Sequence, residues 1–252
     1  MSKRKSIASG PNKGTKYEVA IFNNLKSKKL LPEGITPAGA TDKPDVYVLC
    51  SGDDFPLEIK DPSGDFAQIE LRWNPKQKFF YSRNSKNSKF IPLLEETKFL
   101  EQVNKKWKDT PRKFTKDELT KEDHEWDQDH FKDIRVTIST KLIEQFYNSK
   151  TPKVNYIQIC NKGFFYMTND PARLDVPRFS GEAILRARVK TRDLPKIKYG
   201  FLVAIKIKAK SVKPSTHDIE EKDGRIFPFK LCGKNPNKSK KGKPGALDGF
   251  LG

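Results

Sequence analysis

Two acidic residues and a lysine are spaced so that they could form a metal-assisted catalytic site. Asp45 opens an apolar segment, and Glu58 and Lys60 follow after twelve intervening residues, on either side of Ile59. Because side chains alternate between the two faces of a strand, Glu58 and Lys60 would project to one side and Ile59 to the other. If the chain turned back between the two positions, Asp45 would lie beside Glu58.

Two neighbouring carboxylates suit a divalent cation. Without a metal they repel each other, and the pKa of one of them rises. Mg²⁺ binds one or two carboxylates together with waters and a substrate phosphate, and it makes a bound water more acidic. The Lys60 side chain would orient or deprotonate the attacking water, or stabilise developing negative charge. The spacing therefore predicts metal-assisted hydrolysis at a phosphate, with Mg²⁺, or Mn²⁺ in its place, as the cofactor.

The surrounding patterns predict elements that would position these residues. Segments 45–50 and 55–60 have strand patterns, and the Ser-Gly-Asp-Asp sequence between them is typical of a tight turn. Before this hairpin, apolar residues at helical spacing from Thr15 onwards place Glu18 on a helix. After it, we expect a helix that begins at Asp65 and carries Gln68.

This combination resembles the motif of the PD-(D/E)xK nuclease superfamily, the restriction-endonuclease-like phosphodiesterases. The resemblance covers about residues 15–75 and implies an α/β fold, in which a mixed central β-sheet is flanked by helices. It also implies Mg²⁺-dependent DNA cleavage, with Asp45 and Glu58 as metal ligands and Lys60 acting on the water. In that family a glutamate of the early helix is often a further metal ligand. Here this role would fall to Glu18, with Asp42 as the alternative.

The charge of the chain points to a polyanionic partner. Its 252 residues include 50 basic and 32 acidic side chains, a formal net charge of +18, and so large an excess is typical of proteins that bind nucleic acid. We expect double-stranded DNA, since the resembled family acts mostly on DNA. A strand over residues 200–210 would place alternate lysines on one face. The candidate nucleic-acid-binding residues are Arg186, Arg188, Lys190, Lys206, Lys208 and Lys210.

Composition divides the chain into four segments. We predict a flexible basic arm over residues 1–14, a nuclease core over 15–150, a β-rich nucleic-acid-binding region over 151–232 and a flexible basic tail over 233–252. Within the core, residues 117–133 contain eight carboxylates. We expect this acidic segment to be a solvated loop, or to lie across the basic groove as a mimic of nucleic acid.

Other compositional features exclude several classes of protein. Three cysteines, Cys50, Cys160 and Cys232, are too few and too far apart for a disulfide framework or a zinc ribbon, and they favour a reducing, cytoplasmic location. The longest apolar run is too short to cross a bilayer, so we expect no membrane association. Because Gly-rich phosphate loops are absent from the sequence, we expect no nucleotide cofactor.

Several functions remain open within this interpretation. A restriction enzyme, a phage or mobile-element endonuclease and a structure-specific junction resolvase all fit the motif. A homodimer is expected if both strands of a duplex are cut, since that usually requires two active centres. The alternative from another class is a non-catalytic basic nucleic-acid-binding protein, and an endonuclease specific for structured RNA is a third possibility.

Overall fold

The computed structural model describes most of the chain between residues 13 and 232. The described residues are 13–35, 44–63, 65, 67–82, 90–149, 153–192, 198–230 and 232. Three features predicted from the sequence lie outside them: the basic arm up to residue 12, the tail at 233–252, and Asp42.

The described residues form five α-helices and nine β-strands. The helices are α1 (Lys13–Ser27), α2 (Ile91–Glu96), α3 (Phe99–Lys106), α4 (Lys121–His130) and α5 (Thr140–Asn148). The strands are β1 (Val46–Cys50), β2 (Asp53–Lys60), β3 (Ala67–Asn74), β4 (Phe79–Ser82), β5 (Ile134–Ile138), β6 (Tyr156–Ile159), β7 (Gly163–Tyr166), β8 (Ala183–Arg192) and β9 (Lys198–Ile207).

The first sheet, sheet A, contains the predicted hairpin and has the strand order β1-β2-β6-β7. β1 and β2 are antiparallel, with Val46 opposite Leu57. The turn between them has positive φ at both Ser51 (55°) and Gly52 (91°), the conformation of tight hairpin turns. β2 pairs in parallel with β6, so sheet A is mixed. The hairpin prediction is confirmed.

Sheet A lies between two apolar clusters, and the positions of these clusters show which face of the sheet Glu58 and Lys60 occupy. Leu57 and Ile59 pack with Tyr17 and Ile21 of α1 in one cluster. On the opposite face of the sheet, Ile157 belongs to the larger cluster that also contains α5 residues. Because Glu58 is opposite Ile157 in the register, Glu58 and Lys60 face this second layer. The side chains of β2 therefore alternate as predicted, with Ile59 on one face of the strand and Glu58 and Lys60 on the other.

The second sheet, sheet B, is antiparallel and has the strand order β4-β3-β9-β8-β5. Its strand β3 replaces the helix expected from Asp65, and that prediction was wrong. Ile69, Leu71 and Trp73 are all buried, and their spacing of two residues buries one face of a strand. Gln68 consequently lies on β3, opposite Ala204 of β9.

Both sheets combine strands from either side of residue 150. β6 and β7 complete sheet A beside the hairpin, and β8 and β9 lie between β3 and β5 in sheet B. The predicted α/β fold class is confirmed, with mixed and antiparallel sheets, flanking helices and a β-rich C-terminal part. The division of function at residue 150 stays a prediction.

The strand expected over residues 200–210 is shorter than predicted. β9 ends at Ile207, and residues 209–211 form a 3-10 turn. Lys208 and Lys210 therefore lie beyond the strand, and the predicted ladder of three lysines on one strand face was wrong. Ile205 and Ile207 are buried, as expected.

The acidic segment is a folded element of the structure. Residues 121–130 form α4, whose first turn is closed by a reciprocal capping box between Thr120 and Asp123. Asp127 is fully buried and accepts hydrogen bonds from the backbone N–H groups of Arg112 and Lys113, both at 2.9 Å. The Tyr199 hydroxyl donates a third at 2.7 Å. The prediction of a solvated loop was wrong. Asp123 and Asp127 accept hydrogen bonds from backbone N–H groups, and these contacts fix the segment in the fold.

Tyr199→Phe is expected to lower the free energy of unfolding by about 1 kcal/mol, the typical net contribution of one hydrogen bond. The substitution removes the hydroxyl from Asp127 and leaves that carboxylate its two backbone donors. Urea unfolding of the variant and of the wild-type protein measures the difference. Tyr81→Phe is the control, because Tyr81 is 42% exposed. Equal losses in the two variants would contradict the assigned role.

Two of the three cysteines form a disulfide. Cys50, at the end of β1, is bonded to Cys232, and Cys160 is a free thiol. A single disulfide bond does not amount to a disulfide framework. The bond gives no support to the prediction of a reducing compartment, which was based on the number of cysteines. None of the helices among the described residues could cross a lipid bilayer.

Candidate active site

The three residues predicted to form the site meet at the end of the hairpin. The Lys60 Nζ atom lies 2.9 Å from Asp45 Oδ2 and 2.5 Å from Glu58 Oε2. Two carboxylates thus converge on one ammonium group, as the spacing of the residues predicted. We call Asp45, Glu58 and Lys60 the trio.

Backbone pairing explains how residues from both strands meet. Asp45 directly precedes β1, and its Oδ2 atom accepts a hydrogen bond of 2.7 Å from the Ile59 N–H group of β2. The same carboxylate oxygen therefore contacts Lys60 and the backbone between Glu58 and Lys60. This contact fixes the position of the Asp45 side chain against the neighbouring strand.

The three side chains of the trio differ in their exposure to solvent. The Glu58 side chain is completely buried, whereas the side chains of Lys60 and Asp45 are 11% and 17% exposed. A substrate would therefore reach Asp45 and Lys60 first, with Glu58 beneath them. Such partial burial strengthens electrostatic interactions, since fewer waters screen the charges.

Burial sets the protonation properties of the trio. It raises the pKa of Asp45 to about 6, with Glu58 adding to the rise and Lys60 opposing it. Burial alone would lower the pKa of Lys60, but Glu58 and Asp45 outweigh this effect and raise it well above its usual value. Lys60 is therefore an ammonium at neutral pH, which favours orientation of water or stabilisation of negative charge over proton abstraction.

Glu18 lies near the trio without joining it as a third close carboxylate. It is half-buried on α1, and burial raises its pKa, with opposing effects from Lys60 and Glu58. No group of three or more His, Cys, Asp or Glu residues suited to a metal ion occurs in the described part of the chain. The role of Glu18 as a metal ligand stays a prediction.

Tyr147 is a residue of this region that the sequence did not single out. It lies on α5 and is 1% exposed. Burial raises its pKa well above the usual value, and Lys60, Glu58 and Asp45 all act on it electrostatically. Its position on the apolar face of an amphipathic helix makes it look like an ordinary core residue, so the sequence carried no signal for it.

Four of the six predicted nucleic-acid-binding residues contact acidic partners. Arg186 pairs with Asp133 at 2.5 Å, and Arg188 pairs with Asp65 at 2.5 Å. Lys208, which follows β9, pairs with Glu182 at 2.7 Å. Lys190 contacts Asp65, and Lys206 and Lys210 are half-exposed and exposed respectively. Contact with nucleic acid stays a prediction for all six residues.

A donor set of this kind fits Mg²⁺, which prefers hard oxygen ligands and needs only one or two carboxylates from the protein. Asp45 and Glu58 provide two carboxylates, each in contact with the Lys60 ammonium. Their shared cation leaves the trio with one formal negative charge, which a divalent cation would compensate.

Comparison with known proteins gives one structural neighbour. HhaI endonuclease in complex with DNA aligns with a TM-score of 0.39 and 14% sequence identity, over 77% of this chain and 90% of that chain. No family model and no curated protein matches the sequence.

Proposed function

We propose that this protein is a Mg²⁺-dependent DNA endonuclease whose active site is the trio of Asp45, Glu58 and Lys60. The convergence of Asp45 and Glu58 on the Lys60 ammonium is the observation that carries the proposal. A buried ion cluster is often no more stabilising than apolar side chains of the same volume. A cluster with one excess negative charge, partly open to solvent, is therefore better explained by chemistry than by stability.

The roles of the residues follow from their exposure and charge. Asp45 and Glu58 would hold the metal, which when bound would acidify a water and neutralise charge on the phosphate. Lys60, as an ammonium, would donate hydrogen bonds to the attacking water or to a phosphate oxygen. The Ile59 N–H group keeps the Asp45 carboxylate in place during the reaction.

Double-stranded DNA is the substrate we favour, with a restriction, phage or mobile-element role. The net charge of +18 supports a nucleic-acid partner through contacts with phosphates. A junction resolvase would share the same chemistry. The cytoplasmic location and a homodimer, with one active centre for each strand, are further parts of this proposal.

A non-catalytic DNA-binding protein is the second candidate. It is favoured by the net charge of +18, which accounts for binding to nucleic acid without any catalytic role. The two candidates are distinguished by a cleavage assay, since only the nuclease would cut the nucleic acid that it binds.

Incubation of the wild-type protein with supercoiled plasmid tests the choice. We expect nicked and linear DNA in Mg²⁺ and intact plasmid in EDTA. Parallel reactions with a four-way junction, single-stranded DNA and structured RNA separate the substrate classes. Binding without cleavage of any of these substrates would support the second candidate, and cleavage of RNA alone would contradict DNA as the substrate.

A further inference from the structure

The Asp65 carboxylate, which lies just before β3, contacts two cations of β8. The Asp65 Oδ2 atom lies 2.5 Å from Arg188 Nη2 and 3.5 Å from Lys190 Nζ. Lys190 also donates to Gln68 Oε1 at 3.3 Å. The Asp65 side chain is only 12% exposed, and that of Arg188 is 19% exposed. We call this arrangement the Asp65 clasp.

Strand register places the two cations on one face of sheet B. Arg188 is opposite Leu202 and Lys190 is opposite Gly200 of β9. The intervening residue Val189 packs against the apolar core on the other face. Two cations at positions i and i+2 of one strand lie within reach of a single anion, and in this structure that anion is a carboxylate of the chain itself.

The clasp is connected directly to the proposed active site. Asp65 belongs to the short segment between β2 and β3, five residues after Lys60. A ligand anion that displaced Asp65 would therefore change the contacts of the segment that follows β2, the strand that carries Glu58 and Lys60. Arg186, two residues before Arg188, contacts Asp133, so three cations of β8 are paired with carboxylates of the protein itself.

We propose that Asp65 occupies a phosphate subsite formed by Arg188 and Lys190, and that a DNA phosphate displaces it. A carboxylate and a phosphate oxygen accept the same charge-assisted hydrogen bonds from arginine and lysine. A phosphate gains more from the exchange, because neutralising it also releases counterions from the DNA. Asp65 then acts as an internal competitor, which weakens binding to nucleic acid that cannot reach both cations. This inference deepens the proposed function and rests on its choice of DNA as partner.

Removing the charge of Asp65 tests the clasp. We expect Asp65→Asn to tighten binding of a short nonspecific duplex by about three- to tenfold, the range that a free-energy gain near 1 kcal/mol produces. Fluorescence anisotropy in EDTA measures binding without cleavage. An asparagine oxygen can still accept from Arg188, and Asp65→Ser provides a second neutral variant that should show the same gain.

Matched controls separate the clasp from a general effect of charge. Asp129→Asn makes the same change in net charge at an exposed pair, Asp129 with Lys132, and should leave the affinity within about twofold of the wild type. In an Arg188→Gln, Lys190→Gln background, the gain from Asp65→Asn should disappear, since the two effects are coupled.

The outcomes distinguish the clasp from the proposed function. Equal DNA binding by the wild type and both neutral Asp65 variants would overturn the clasp and leave the nuclease proposal standing. A gain that persists without Arg188 and Lys190 would also overturn it. If no variant bound duplex DNA, both the clasp and the DNA partner would be wrong.

Discussion

Lys60→Gln is expected to lower the rate of Mg²⁺-dependent DNA cleavage by about a thousandfold. Loss of one preorganised donor at a reacting centre typically costs about two to three powers of ten in rate. Lys60 contacts both carboxylates of the trio, so its loss also changes their mutual repulsion. Single-turnover nicking of supercoiled plasmid in Mg²⁺ gives the rate directly.

A loss of cleavage in Lys60→Gln must be distinguished from a loss of folding. Without Lys60, two carboxylates would lie side by side with little exposure, and breaking such a buried ion pair can cost about 3–5 kcal/mol of stability. The double variant Asp45→Asn, Lys60→Gln retains a single carboxylate and should fold more stably than Lys60→Gln alone. It should be equally inactive.

Lys132→Gln is the matched control for Lys60→Gln. Lys132 pairs with Asp129 at 2.7 Å, but both side chains are more than 70% exposed, so we expect cleavage at the wild-type rate. DNA binding in EDTA should be retained by both variants. Wild-type cleavage by folded Lys60→Gln would remove Lys60 from the mechanism.

The hairpin could be predicted because its determinants are local. Asp45, Glu58 and Lys60 lie within sixteen residues, and alternation along one strand fixes which side chains share a face. A turn of Ser51 and Gly52 then brings the two strands into register. The same local information identified α1 and placed Glu18 on it.

The sequence was less informative where distant segments decide the structure. Ile69, Leu71 and Trp73 follow a period of two, yet Asp65 as a helix N-cap favours a helix over the same segment. β3 is defined by pairing with β9, more than 120 residues away, and β2 pairs with β6. Contacts at such separations are not encoded in any short pattern. For the same reason the Asp65 clasp could not be foreseen.

Asp45→Asn is expected to make the metal-free protein more stable at neutral pH while abolishing cleavage. Burial raises the pKa of Asp45 from 3.8 to about 6, so folding disfavours the ionised carboxylate. Since one pKa unit corresponds to about 1.4 kcal/mol, removing the charge should raise the free energy of unfolding at pH 7.5 by about 1–3 kcal/mol. An asparagine oxygen can still accept the Ile59 N–H group.

The effect should depend on pH in a defined direction. Near pH 4 the wild-type carboxyl is protonated in the folded protein, and little destabilisation remains for the substitution to remove. The penalty grows as the pH rises from 3.8 to about 6, because over this range the unfolded chain has released the proton that the folded protein still holds, and it is complete above about 6. Urea unfolding in EDTA at pH 4.5 and 7.5 should therefore show a larger gain at the higher pH.

Asp129→Asn is the control, because Asp129 is exposed and the Lys132 side chain lowers its pKa, so this variant should gain no stability.

Adding Mg²⁺ extends the test, since a ligand that binds only the folded state stabilises it in proportion to its occupancy. The thermal midpoint of the wild type should rise with Mg²⁺ at pH 7.5, and that of Asp45→Asn should not. A destabilised Asp45→Asn protein that still responded to Mg²⁺ would mean that Asp45 supports the fold and that the metal binds elsewhere.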